Sequence, residues 1–174
     1  MIGLVFVYIN MMEHGDAFVG LLYLPVVVII FLAGMDFGDR QGYPLSVRFM
    51  NGFRSASGGT KLAALLMAMT STVHLTLIPS HSGEPLTALL FAVNGIALAA
   101  LALAALAGTG RWRPAAAVLL TASMLTYAVY LVAGLETPDV IGVATKTVEV
   151  GALFLIVIRP LDRFVSIVSQ YGSR

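Results

Sequence analysis

Lys146 and Glu149 stand three residues apart inside an otherwise apolar stretch. In a helix that spacing puts both side chains on one face. Counting from Asp139 at 1.5 Å per residue, they lie roughly 10 and 15 Å along the helix axis. An ammonium and a carboxylate at that depth in hydrocarbon are costly unless they pair or reach water. The pair therefore reads in two ways: an ion pair that fixes helix packing, or a working site.

A second group surrounds Pro79. Thr70, His74 and His81 fall at i, i+4 and i+11, with Ser71 beside them and Glu84 just beyond. His74 lies roughly 7 Å inside the end of its stretch. Two imidazoles and a carboxylate are ligand types for a transition metal, which makes His74, His81 and Glu84 a candidate set. A hydrogen-bonded packing histidine is the alternative. The spacing is not that of a zincin helix, and Pro79 interrupts a single helical face. Two nearby histidines on one segment cannot take opposite sides of a haem. Near the N-terminus, Met11, Met12 and His14 combine thioethers with an imidazole, a mixture that suits copper.

Asn94, and Ser123, Tyr127 and Tyr130 at i, i+4 and i+7, are further polar groups in apolar stretches. They suit hydrogen bonding between helices or anchoring at a membrane interface. If the helices bundle, His74, Asn94, Tyr127, Lys146 and Glu149 converge below a mouth formed by His81, Glu84, Glu136 and Asp139.

The elements that must position these residues are membrane spans. Of 174 residues, 59% are hydrophobic and 11% charged, with a mean hydropathy of +0.92. A soluble domain carries roughly 25% charged residues. Several runs approach the ~20 apolar residues that cross a bilayer as a helix, and their alanine- and leucine-rich character is not the alternation of a β-barrel. Cysteine is absent, which removes disulfides, thiolate metal sites and iron–sulfur clusters. The N-terminus lacks a basic n-region and a small-residue cleavage site, so the mature protein is expected to be the chain as written.

The expected fold is all-α, a bundle of five transmembrane helices. The spans are placed at 17–35 (with Pro25 inside), 61–78, 86–107, 115–135 and 139–158, and Pro85, Pro114 and Pro138 open the last three. The fifth is expected to stop at Arg159-Pro160. Residues 36–60 read as a polar, glycine-rich segment. Arg40, Arg48, Arg54, Lys61, Arg111, Arg113, Arg159, Arg163 and Arg174 fall at one end of the spans, and the opposite turns hold no Lys or Arg. The positive-inside rule then places the N-terminus outside and the C-terminus in the cytoplasm of a bacterial inner membrane. Residues 1–16 are expected at the outer interface, 17–160 in the membrane domain, and 161–174 as an amphipathic cytoplasmic helix carrying Leu161, Phe164, Val165, Val168 and Tyr171 on one face.

The stretch from His74 to Glu84, H-L-x-L-x-P-x-H-x-x-E, together with G-x-x-x-K-x-x-E from Gly142 to Glu149, resembles small uncharacterised polytopic membrane proteins of actinobacteria and related bacteria. The likeness covers residues 60–158. It implies that the two motifs belong together and brings no activity with it.

The expected function is a non-enzymatic accessory or binding subunit of a larger bacterial membrane complex. Its expected partners are the lipid bilayer and other membrane subunits or further copies of itself, and nucleic acid is not among them. Small residues from Ala97 to Ala107 would supply a contact surface. Its polar site in the outer half of the bundle could hold copper or another transition metal. The competing readings are a proton-coupled transporter or relay through His74, Lys146 and Glu149, and a metal or quinone site at the outer face. No Ser/His/Asp or HExxH arrangement of a hydrolase is evident.

Overall fold

A computed structural model describes the backbone of residues 15–135 and 137–171, and the side chains of residues 19–135 and 137–158. The described residues form six α-helices and one 3₁₀ turn, with no strand among them. We number the helices α1 (Gly15–Arg40), α2 (Pro44–Ser55), α3 (Gly58–Thr76), α4 (Pro85–Leu106), α5 (Trp112–Val132) and α6 (Val140–Tyr171); the 3₁₀ turn, Pro79–His81, joins α3 to α4. Residues 19–40 of α1, all of α4 and α5, and residues 140–158 of α6 are long and apolar enough to cross a membrane. Four such helices are the pattern of a multi-pass α-helical membrane protein.

Helices α3 to α6 run up and down and close into a ring: α3 packs on α4 and α6, and α5 packs on both α4 and α6. Helix α1 lies outside this ring against α3 and α2, and Leu22, Tyr23, Val26, Ile29 and Ile30 are each more than half exposed. Helix α3, the second of the expected spans, is not among the four most apolar helices. The reason is its position. Thr60, Thr70, Ser71 and His74 are all buried among neighbouring helices, so polar residues on α3 meet protein instead of lipid. Its approach to α4 is close at Gly95, where a Cβ would fall 2.8 Å from Leu75 Cγ. Nearby, the Ser71 hydroxyl donates to the Gly95 carbonyl at 2.7 Å.

Several boundaries depart from the sequence expectation. The polar segment after the first span contains α2, which starts with Pro44 in its first turn and buries Phe49 and Met50. Phe49 packs edge-on against Phe31 of α1, with ring centroids 5.2 Å apart, and Gly52 lets α2 meet the Ala107 backbone. Arg54 ties this helix to the end of α1 through Asp39 at 2.8 Å and Asp36 at 3.2 Å. Helix α5 begins at Trp112, ahead of Pro114, and α6 begins at Val140, beyond Pro138; of the three prolines expected to open spans, Pro85 alone is in the first helical position. Asp139 caps α6 by accepting the Gly142 N–H.

Helix α6 also runs through Arg159-Pro160 to Tyr171. A proline deletes one i→i−4 bond, but ending a helix leaves several backbone groups without partners. Among the described residues no break sets a C-terminal helix apart from α6, and the amphipathic face expected for 161–174 lies outside the described side chains. Met1 to His14 lie outside the described residues too, so the outer segment 1–16 is described only from Gly15.

Candidate functional site

Each helix of the ring contributes to one polar cluster. Helix α3 supplies His74, α4 supplies Asn94, α5 supplies Ser123, and α6 supplies Lys146 and Glu149. Glu149 has 0% of its surface exposed and Lys146 lies beside it. The Lys146 ammonium donates to Glu149 Oε1 and Oε2, each at 3.0 Å, and to Ser123 Oγ at 2.7 Å. The Ser123 hydroxyl in turn donates to Glu149 Oε1 at 3.1 Å. The Asn94 amide donates to Ser123 Oγ at 3.1 Å. Glu149 is thus neutralised by a cation one turn away, and its Oε1 takes a further hydrogen bond from α5. That is the condition under which a buried charge is tolerated.

His74 completes the cluster with one atom in two contacts. Its Nε2 is 2.8 Å from Asn94 Nδ2 and 3.2 Å from Glu149 Oε1. A ring nitrogen cannot accept and donate at once. With a lone pair on Nε2 it accepts from the Asn94 amide; with a proton it donates to Glu149 and Asn94 must turn its carbonyl oxygen inward. The imidazole proton and the Asn94 amide are coupled. His74 Nδ1, Asn94 Oδ1 and Thr70 Oγ1 are buried with no hydrogen-bond partner among the described residues.

Beside the cluster lies a cavity of about 250 Å³ bounded by α3, α4, α5 and α6. His74, Asn94, Ser123, Tyr127 and Lys146 form its polar wall. The Lys146 ammonium stands 5.6 Å from the centre of the Tyr127 ring, within cation–π range. Phe91, Tyr130 and His81 add aromatic surface, and Leu90, Val93 and Leu119 add aliphatic surface.

Of the residues singled out from sequence, His74, Asn94, Lys146 and Glu149 share one hydrogen-bonded network, and Tyr127 joins through its ring. At the mouth, His81 and Asp139 line the cavity, Glu84 precedes α4 with no side-chain cap bond, and Glu136 lies outside the described residues. His81 is held locally: its Nδ1–H donates to the Leu77 carbonyl at 3.0 Å. Each imidazole packs on the ring of Phe91, at centroid distances of 5.4 Å for His74 and 4.8 Å for His81. Among the described residues no three His, Cys, Asp or Glu side chains converge as a metal-ligand set. Met11, Met12 and His14 lie outside them.

Two participants carry little signal in the sequence. Ser123 shares a face with Tyr127, but its place between Asn94, Lys146 and Glu149 depends on three other helices. Phe91 in an apolar run reads as a lipid-facing residue.

The chain matches no protein-family model, no characterised protein and no solved structure. Fold and site together define a class: a multi-pass helical membrane protein with a buried, internally neutralised ion pair beside a cavity.

Proposed function

We propose that this protein is a binding subunit of a bacterial inner-membrane complex. It crosses the membrane five times, with the N-terminus outside, and holds a small ligand in the outer half of its helical ring. The observation that carries this reading is the single hydrogen-bonded network that joins side chains of four helices around Glu149, immediately beside the cavity. A purely structural ion pair needs no adjoining space, whereas binding sites are cavities with a few placed polar groups in apolar walls. Arg40, Arg48, Arg54, Lys61, Arg111 and Arg113 all belong to the end of the bundle occupied by α2. That supports a cytoplasmic location for this end. The exposed apolar face of α1 supports contact with lipid or with a neighbouring subunit.

The lack of cysteine makes the test direct. Ser82→Cys in intact cells is expected to react with a membrane-impermeant maleimide and Ser55→Cys is expected not to; the reverse pattern would overturn the orientation. Thr87→Cys in the cavity wall is expected to react with a small thiosulfonate, and Ala105→Cys in the packed half is expected to stay protected. An inert Thr87→Cys would remove the binding-site reading.

The contact of His74 Nε2 with Glu149 favours a second reading, a proton relay through His74, Glu149 and Lys146. Proton flux across vesicles that survives Glu149→Gln unchanged would dispose of it.

A further inference from the structure

We propose that the cavity binds the head of a lipophilic quinone, which reaches it sideways from the membrane between α4 and α5. The inference rests on the binding-site reading above and names the ligand class. Three properties of the cavity point to it.

The first is charge. Among the described residues, Lys146 and Asp139 are the charged side chains in the wall, and they are opposite in sign. All three N–H groups of Lys146 are committed to Ser123 and Glu149. Among the described residues the wall thus holds no uncommitted lysine or arginine for a phosphate or carboxylate, and a neutral head suits it. The second is shape chemistry. Rings of His74, His81, Phe91, Tyr127 and Tyr130 surround one space, which favours a planar aromatic or quinonoid ring. Hydroxyl-bearing Thr87, Thr126 and Tyr130 line the same space, and hydroxyls are donors suited to ring carbonyl oxygens.

The third is access. The wall includes Leu90 and Val93 of α4, which are 42% and 56% exposed, and the exposed Ala122 and Thr126 of α5. The cavity is therefore open along the α4/α5 seam, on the surface that faces hydrocarbon. An apolar groove continues down this seam between Ala97, Leu101, Ala115 and Val118, and it shares Leu119 and Ala122 with the cavity. Pro114 to Ala122 rise about 12 Å along the helix axis at 1.5 Å per residue. Polar at its closed end and apolar along its length, the joined space has the pattern of a ring with a hydrocarbon tail. A partner helix, about 10 Å across, would cover the seam without reaching the polar wall.

The test uses the full chain in nanodiscs of neutral phospholipid, with a short-tailed menaquinone as probe and phytol, a branched-tail alcohol lacking the ring, as competitor. Saturable menaquinone binding is expected, with phytol weaker by about tenfold or more because it lacks the stacked ring. Ala122→Trp fills the seam outside the polar network and is expected to weaken binding by about tenfold or more. Its thermal unfolding is compared with the parent, and Thr126→Phe serves as a second block of the seam. Absence of saturable binding, phytol competing as well as the quinone, or folded seam variants that bind normally would each overturn the proposal. Such a failure is distinguishable from failure of the binding-site reading, because the reactivity of Thr87→Cys is measured without any quinone.

Discussion

In the half of the bundle beside α2, Ala63, Ala64 and Met67 of α3 meet Leu98, Ala102 and Ala105 of α4, Ala116 and Leu120 of α5, and Ala152 and Ile156 of α6, and all are buried. In the other half the same helices present His74, Asn94, Ser123 and Lys146 to a cavity, with Glu149 buried beside them. The first half is apolar and closely packed; the second is polar and hollow. Lipid is as apolar as leucine, so the packed half gains stability from the close approach of small residues and not from leaving water. The polar half is held by hydrogen bonds and a neutralised charge, whose value lies in geometry as much as in stability. One half is thus suited to setting the helices in register, and the other to using that register to assemble a site.

The largest effect is expected from stranding the buried carboxylate. Lys146→Met should destabilise the protein by about 3–5 kcal/mol in reversible unfolding from mixed micelles, because it leaves Glu149 uncompensated. The double variant Lys146→Met/Glu149→Gln should recover most of that loss. If the double variant is as unstable as the single one, the polar half is held together by something other than charge balance. Next comes the packed half: Leu120→Ala should cost about 2–4 kcal/mol through the void it leaves, with no change in the reactivity of Thr87→Cys. Altered reactivity there would show that the two halves are not independent.

Smaller effects separate individual bonds. Asn94→Leu removes the amide that bridges His74 and Ser123 and should cost about 1–2 kcal/mol. An equal loss in a His74→Phe background would show that the two side chains do not act together. Ser71→Ala removes one hydroxyl bond to the Gly95 carbonyl and should cost only about 0.6 kcal/mol, the usual scale for a hydrogen bond between membrane helices. A much larger loss would mark the α3/α4 contact as the place where the bundle is set.

Much of this contrast is legible along the chain. Lys146 and Glu149 declare themselves because ionisable residues are rare in apolar stretches. His74 and Asn94 stand out for the same reason. The continuation of α6 past Pro160 is not legible, since a proline commonly ends a helix. Nor is α2, whose glycine and polar residues conceal a short helix seated on Phe49 and Met50. The convergent cluster expected from the sequence lacked Ser123 and Phe91 because their roles arise between helices, at contacts that spacing along one helix cannot express.

By itself, then, the sequence determined the apolar helices, the uneven distribution of basic residues and the positions along each helix at which the polar side chains lie. These follow from local composition and from the fixed rise of a helix. Tertiary structure decided that α3 lies between α1, α4 and α6, that Glu149 takes partners from α5 and α6 while His74 of α3 lies against it, and that a cavity opens towards α4 and α5. Those are relations of rotation and contact between helices. They depend on which faces small residues such as Gly95 allow to meet, and pairwise packing of that kind is set only when all four helices are in place.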